Sequence, residues 1–427
     1  EAFVRGMRGT GVVVVLETDA ALLRAVFSRL DLSDWLGDDR LVLRIDPDDP
    51  VGLAASLSGA HSLMMIGTRI VEHPPSRIRI GEATSRFSRT LVDLAATART
   101  STTTLLAQSG TTIENQLSNL DHYAIGAGIE DLAGTAKGRL GVVVSAGPSL
   151  RRNMAVLARP GVRERCAIVA TQTTLRPLLD AGIAPHFVTA LDYHVISSRF
   201  YEGLDPAALE DTELVIDSRV NRAVTEAWPG RIRCIPSLQL DEFLGPLARG
   251  GTRLQTSTTV AHLAYTFARH LGCDPVALIG QDLGFTDALY YAPGTAIHEV
   301  WLPELNAFNT VETMEWERIA RHREHLSERR DVNGRRIFTD VQMLNYLQSF
   351  EMRFADDARD GLRIVDATEG GVRKRNTEVR TLSDTISTWA GVGTDPIEFP
   401  RAEPPASEDR EAVLDRIRAV RVELEEI

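Results

Sequence analysis

Short apolar runs rich in β-branched residues recur along the chain, separated by stretches with helical spacing. The first run, 12–16, reads as a buried strand. Asp19 then caps a helix that carries Leu22, Leu23, Val26, Phe27 and Leu30 on one stripe. Residues 40–44 and 62–66 read as further strands, which gives a small N-terminal α/β domain over 1–75. Between 77 and 120 no strong breaker intervenes before Gly110, and Phe87, Leu91, Leu94, Leu105, Leu106, Ile113, Leu117 and Leu120 fit one side of a long helix or helix pair. The Thr102–Thr104 run weakens that helix, because β-branched residues are poorer helix formers. The region 76–138 is accordingly expected to be a helical connector.

From Gly141 the rhythm changes. Strand-like runs at 142–145, 167–170, 187–191, 214–216, 232–235 and 276–279 alternate with helical segments. This alternation predicts a Rossmann-like, mainly parallel α/β sheet covered by helices on both faces, over 139–385. In such sheets ligands meet the loops after the strands. The remainder, 386–427, reads as a Pro/Gly-rich arm followed by a helix from Ser407. That helix has Val413, Ile417, Val420 and Leu424 on one stripe and is expected to dock on the body.

Composition narrows the function classes. With 43% hydrophobic and 25% charged residues in 427, the chain can bury a large core. A net charge of −12 disfavours a nucleic-acid binder. Cys166, Cys234 and Cys273 are scattered, with neither disulfide nor zinc spacing, and read as buried apolar residues. The 12–16 run is too short to cross a bilayer and is followed by Glu17 and Asp19, so no membrane span and a cytoplasmic location are expected.

Four polar clusters stand out. In the first, Ser145, Ala146, Gly147, Pro148 and Ser149 lead from a strand into a helix with Asn153 and Leu157. Gly147 would let the backbone approach a ligand, and Ser149 would cap the helix or donate to a phosphate at its N-terminus. The turn is neither a Walker loop nor a full dinucleotide fingerprint. In the second, Gln255, Thr256, Ser257, Thr258 and Thr259 precede a helix, either as hydrogen-bond donors to a ligand or as a plain helix start. The third places Gly280, Gln281 and Asp282 at a strand end, followed by Tyr290 and Tyr291. Asp282 either serves as a base, orients a sugar hydroxyl, helps hold a metal or caps a turn. The tyrosines either donate to a departing phosphate or pack in the core. The fourth comprises an Asn333-Gly334 hairpin turn, Thr339 or Asp340 as a helix cap, and the loop Thr368, Glu369, Gly370 and Gly371. Asp192, Tyr193 and His194 follow another strand, and a lone His there reads first as a surface hydrogen-bonder.

Together these clusters resemble the motility-associated factor (Maf) family, which shares its core with archaeal 6-hydroxymethylpterin diphosphokinases. The resemblance spans roughly 10–385. It is carried, in order and spacing, by 145–150, 182–187 leading to Leu191 and Asp192, 257–271, 280–287, 331–334 and 366–371. The core is also similar to that of certain bacterial sialyltransferases. The resemblance implies a glycosyltransferase that takes a CMP-activated nonulosonic (sialic-acid-like) sugar to a Ser or Thr hydroxyl of flagellin or another surface protein. By position, Gly147 and Ser149 would border the donor phosphate, and Gln172 and Asp192 would face the nucleotide. Ser257, Thr258, Gly280 and Asp282 would line the cytidine and ribose side, with Gln281 a further substrate-binding candidate. Tyr290 or Tyr291 would assist phosphate departure, Arg335 or Arg336 would add positive charge, and Thr368, Glu369 and Gly370 would close the pocket. No cofactor is required for a leaving group with one phosphate, although Mg²⁺ remains an option.

One departure stands out. The sialyltransferase-like enzymes place a histidine base just before a Thr-Asp helix start, and 334–340 holds none. Asp282, Glu369 and His298 are the candidates in its place, Tyr291 is a candidate acid, and loss of activity is the alternative outcome. Two competing functions are a pterin diphosphokinase, with ATP and Mg²⁺ held by Asp192 and Asp282, and a non-catalytic nucleotide-binding module.

Overall fold

A computed structural model describes residues 11–49, 52–53, 56–57, 60, 63–64, 67–252, 254, 259–403 and 407–425. The chain divides into two compact units, 1–110 and 111–427.

In the first unit, β1 (Val13–Leu16) pairs in parallel with β2 (Leu41–Arg44). Asp19 caps the helix Ala20–Phe27 by accepting from Leu22 N, as its place before the apolar stripe predicts. Leu53, Leu57, Ala60, Met64 and Phe87 form the small core. The strand expected over 62–66 is not found where it can be checked: Leu63 and Met64 are helical, and the other three residues lie outside the described set. An apolar run of that length is ambiguous between strand and helix until its packing is known.

The second unit is built on one sheet. Its strands are β3 (Gly141–Val144), β4 (Ala167–Thr171), β5 (Phe187–Ala190), β6 (Glu213–Ile216), β7 (Arg231–Cys234), β8 (Val276–Ile279), β11 (Ile364–Asp366) and β12 (Glu378–Val379). Their order is β12-β11-β8-β3-β4-β5-β6-β7, and every pairing is parallel. The central strands are buried on both faces, which is why they read as unbroken apolar runs. Successive side chains serve opposite layers: Val142 and Val144 join one core cluster and Val143 the other. Helices Val260–His270 and Val341–Arg359 cover one face through Leu263, Phe267, Leu347, Phe350 and Phe354. Helices Leu150–Leu157, Leu175–Asp180, Arg222–Ala227 and Leu382–Trp389 cover the other. This is a Rossmann-like α/β core.

A two-stranded antiparallel hairpin, β9 (Ser327–Arg330) and β10 (Arg336–Thr339), stands apart from the sheet. Its turn holds Asn333 and Gly334, as the dipeptide predicts. The helix Pro74–Ser118 ends in the second unit, and there the apolar stripe misleads. Ile113 and Leu117 are exposed, while Asn115, Gln116 and Asn119 are buried. Asn119 Nδ2 donates to Val220 O (2.6 Å) and Ser218 O (3.2 Å), and Asn115 Nδ2 donates to Tyr193 O (3.0 Å). Amide side chains seat this segment on the loops after β5 and β6, while Leu120, from the same predicted stripe, is buried in the main core.

At the other end, Phe399 packs against the rings of His186 and Phe187. Helix Ser407–Glu425 docks through Val413, Ile417 and Val420, and Arg416 Nε donates to Phe243 O. The three cysteines are free and buried, and burial pushes each thiol up to about 12.

Candidate functional site

The chain begins the sheet at β3, lays β4 to β7 on one side, and returns with β8 on the other. The reversal between β3 and β8 is the topological switch point, where loops diverge and leave a crevice. Asp282 sits there, just beyond β8. Its Oδ2 accepts the Ser149 hydroxyl at 2.7 Å, both oxygens lie 3.3 Å from Ser149 N, and Oδ1 accepts the Thr286 hydroxyl. The Thr286 oxygen in turn accepts from Gly371 N at 3.0 Å. One carboxylate thereby ties three loops together, those after β3, β8 and β11. Burial raises its pKa, opposed by these hydroxyl donors.

Two glycines make the tie possible. A Cβ on Gly147 would lie 2.1 Å from Asp282 Oδ2, and one on Gly371 would lie 2.4 Å from Asp282 Cα. The space kept open at Gly147, expected for a ligand, is filled by this carboxylate. Ser149, at the N-cap position of its helix, makes no side-chain cap and is committed to Asp282 instead. Gln281 accepts from Ser145 Oγ at 2.6 Å, and the Gly280 carbonyl accepts from Gly147 N at 2.7 Å.

The same loops hold backbone that side chains rarely adopt. Leu283 (φ 51°), Asp287 (55°), Ala288 (61°) and Glu369 (55°) all have positive φ. Such strain persists only where the surroundings over-determine it, and it gathers at binding and catalytic sites. Glu369 accepts from Asn153 Nδ2 (3.0 Å) and from Leu382 N (3.0 Å), so it anchors a helix start. Thr368 is fully buried, its N–H donating to Asp366, and Gly370 lies against Ser149 and Arg152.

Beyond β4 and β5 a second group faces the crevice. Gln172 donates from Nε2 to Asp192 Oδ2 and accepts the Tyr201 hydroxyl at 3.0 Å; Ser197 Oγ also donates to Asp192 Oδ2, at 3.3 Å. Among the described residues nothing donates to Asp192 Oδ1. Burial first, then the Asp192 charge, lifts the Tyr201 phenol well above its usual range.

The rings of Tyr290 and Tyr291 lie 4.8 Å apart, tilted by 43°, and the Arg318 guanidinium stands over both, 4.4 Å from the Tyr290 ring centre and 5.8 Å from that of Tyr291. Burial raises both phenols. At Tyr291, Arg318 opposes the rise and Asp192 adds to it. Arg318 has no carboxylate partner among the described residues. Its helix, Val311–Arg321, also supplies Glu315, whose Oε2 accepts from Tyr290 N (3.0 Å) and whose Oε1 lies 2.8 Å from His298 Nε2. Thr295 Oγ1 lies 3.4 Å from His298 Nδ1, so both ring nitrogens of this candidate base have partners.

Of the residues picked out from the sequence, Gly147, Ser149, Gly280, Gln281, Asp282, Thr368, Glu369 and Gly370 converge at the switch point. Gln172, Asp192, Tyr290 and Tyr291 form the second group. Arg335 is exposed on the hairpin turn, and Ser257 and Thr258 lie outside the described residues. Thr286 and Gly371 belong to the flagged clusters, whereas Arg318 and Glu315 were not singled out, because a helix of ordinary charged composition does not show which of its side chains turn inward. Among the described residues, no group of three His, Cys, Asp or Glu is placed to hold a metal ion.

A cleft of about 740 Å³ opens between helix Val311–Arg321, the hairpin, and the loops at 285–288 and 370–371. Arg152, Arg323, Arg335 and Arg336 line it, with Asp287 and Asp331.

The sequence over 114–288, from the end of the long helix through β8 and the Asp282 loop, matches a family model described as 6-hydroxymethylpterin diphosphokinase MptE-like. Among solved structures the chain is similar to a Maf glycosyltransferase from Magnetospirillum magneticum AMB-1, with a TM-score of 0.51 and 17% identity. The superposition covers 96% of this chain and 57% of that one, so this chain spans little more than half the length of its structural relative. At such identity the likeness establishes a shared fold. No curated relative matches the sequence.

Proposed function

We propose that this MptE-like chain is a glycosyltransferase. It moves a nonulosonic sugar from a CMP-activated donor to a Ser or Thr hydroxyl of flagellin or a similar surface protein. The observation that carries this reading is the Arg318 cation over the Tyr290–Tyr291 pair, on the segment that follows β8 and the Asp282 loop.

Departure of CMP leaves a phosphate that gains negative charge, and preorganised donors aimed at it lower the barrier. Burial keeps both tyrosines protonated and therefore able to donate. Arg318, with no carboxylate partner among the described residues, supplies the charge. Asp192 Oδ1, which has no donor among the described residues, would accept from a ribose or sugar hydroxyl, while Gln172 and Ser197 fix the orientation of its other oxygen. Asp282 and Glu369 are occupied in holding loops, which suits them to positioning. A cytoplasmic location goes with this reading, and no helix among the described residues is long and apolar enough to cross a membrane.

The decisive assay incubates the protein with a CMP-nonulosonate and a flagellin acceptor and measures CMP release. Acceptor-dependent release is expected, and it should fall in Arg318→Ala and Tyr291→Phe by about 10²-fold or more. Absence of release from the unaltered chain would sink the transferase. The family match also favours a second reading, pterin diphosphokinase. Thermal stabilisation by Mg-ATP without any response to CMP would replace the first reading with it, and silence from both would indicate a non-catalytic module.

A further inference from the structure

The arginine-lined cleft is not used by the donor chemistry above. It does not include Gln172, Asp192, Tyr290 or Tyr291, yet it shares Thr286 and Gly371 with the Asp282 tie and so lies against the same loops. Strained Asp287 and Ala288 form part of its wall. From this placement we infer that the cleft is the acceptor groove, and that it takes a polypeptide segment carrying carboxylates around an apolar side chain. The inference rests on the transferase reading.

Charge supplies the first argument. Four arginines face two aspartates in a chain whose net charge is −12. Arg152 is engaged by Asp287 (2.8 Å) and by the Glu369 carbonyl, and Arg336 by Glu328 (2.8 Å). Asp331 is turned into the hairpin, accepting from Asn333 N (2.8 Å) and Arg335 N (2.7 Å). Arg323 and the Arg335 side chain have no partner among the described residues. The cleft therefore presents two unneutralised guanidinium groups, which are suited to carboxylates.

Exposed apolar surface supplies the second. Trp316 is 56% exposed and Phe338 45% exposed, on opposite walls formed by the helix and the hairpin. Aromatic and arginine side chains together are the composition of protein-binding hot spots. A small anion would cover neither ring. A peptide with an apolar residue between acidic ones covers both and pairs both arginines.

The test measures binding to the full chain with no donor present, so it does not depend on transfer. Three fluorescein-labelled peptides of equal length carry a Ser-Leu pair flanked by Glu, Gln or Lys. The Glu peptide is expected to bind most tightly and to weaken as salt is raised. The double variant Arg323→Glu, Arg335→Glu should weaken it about tenfold or more, and Trp316→Ala should weaken it roughly tenfold. All three side chains are exposed, so unchanged thermal unfolding checks that the variants fold. Equal binding of the three peptides, or no binding, overturns the inference. Displacement by inorganic phosphate with equal potency in the unaltered chain and Trp316→Ala overturns it in favour of a small-anion site. Glu-peptide binding without CMP release in the transfer assay would remove the transferase and leave a peptide-binding groove.

Discussion

The Ser149 hydroxyl donates to Asp282 Oδ2 at 2.7 Å, joining the first and last strands laid at the centre of the sheet across 133 positions of chain. The contact is buried on both sides, with Ser149 at 0% and Asp282 at 2% exposure. Removing one partner leaves the other unsatisfied, which costs more than the bond contributes. Asp282→Ala should therefore destabilise the second unit by roughly 1–3 kcal/mol, and Asp282→Asn, which keeps an acceptor, by less. Chemical denaturation of the two variants checks the order.

The same tie predicts different fates for two glycines with similar backbone. Gly371 (φ +72°) has Asp282 backbone atoms 2.4 Å from where a Cβ would lie, whereas Gly334 (φ +78°) faces open space. Gly334→Ala should cost about 1–2 kcal/mol, the strain of left-handed backbone alone. Gly371→Ala adds a collision that only movement of the Asp282 loop relieves, and its melting temperature should fall well below that of Gly334→Ala.

Glu315 holds the tyrosine segment by its backbone while His298 holds Glu315. Glu315→Gln keeps the size and the acceptor toward Tyr290 N. Glu315→Ala removes both contacts and leaves a buried His298 without its partner, at a cost of about 1–3 kcal/mol. Under the proposed transferase reading, turnover should follow the same order, with CMP affinity changing less than the rate, because Glu315 would act through the tyrosines. Equal effects on rate and affinity would contradict that role.

His186 gives a pH dependence. Its Nδ1 accepts from Ile168 N at 3.1 Å, and burial, reinforced by Arg163, lowers its pKa from 6.5 to about 3. A depressed folded pKa means stability that is present above 6.5 and lost as pH falls through the folded value. Unfolding free energy should thus decline between pH 6.5 and about 3, with an upper slope of about 1.4 kcal/mol per pH unit from this one group. His186→Asn, with an amide oxygen available to Ile168 N, should flatten that part of the profile.

Residues whose role is set by local pattern could be read in advance. The strands buried on both faces announce themselves as β-branched runs, and Asp19, Asp340 and Asn333-Gly334 act where their neighbours imply. The polar loops after β3, β8 and β11 were legible as a set, because small and hydroxyl residues after parallel strands gather at one end of the sheet. Their division of labour was not. Whether Asp282 meets a ligand or Ser149 depends on a strand crossing 133 residues away, and no spacing rule encodes that. Arg318 was missed for a related reason: on a charged helix it looks like a solvated side chain until Tyr290 is placed beneath it. Asn115 and Asn119 escaped because their partners are backbone carbonyls of distant loops, which have no residue signature.

The position of β3 also sets an order of events in time. On one flank it meets β4, only a few turns of chain later, and β5 to β7 follow in sequence. On the other flank its partner is β8, at Val276–Ile279, with Gly141 facing Val276. While the chain emerges from the ribosome, five strands can assemble with the four-residue apolar edge of β3 still bare. Such an edge recruits other nascent chains as readily as its own. Residues 276–279 are thus the seal on a half-made sheet, and a chain halted before them should aggregate through Gly141–Val144 however well its first five strands have paired.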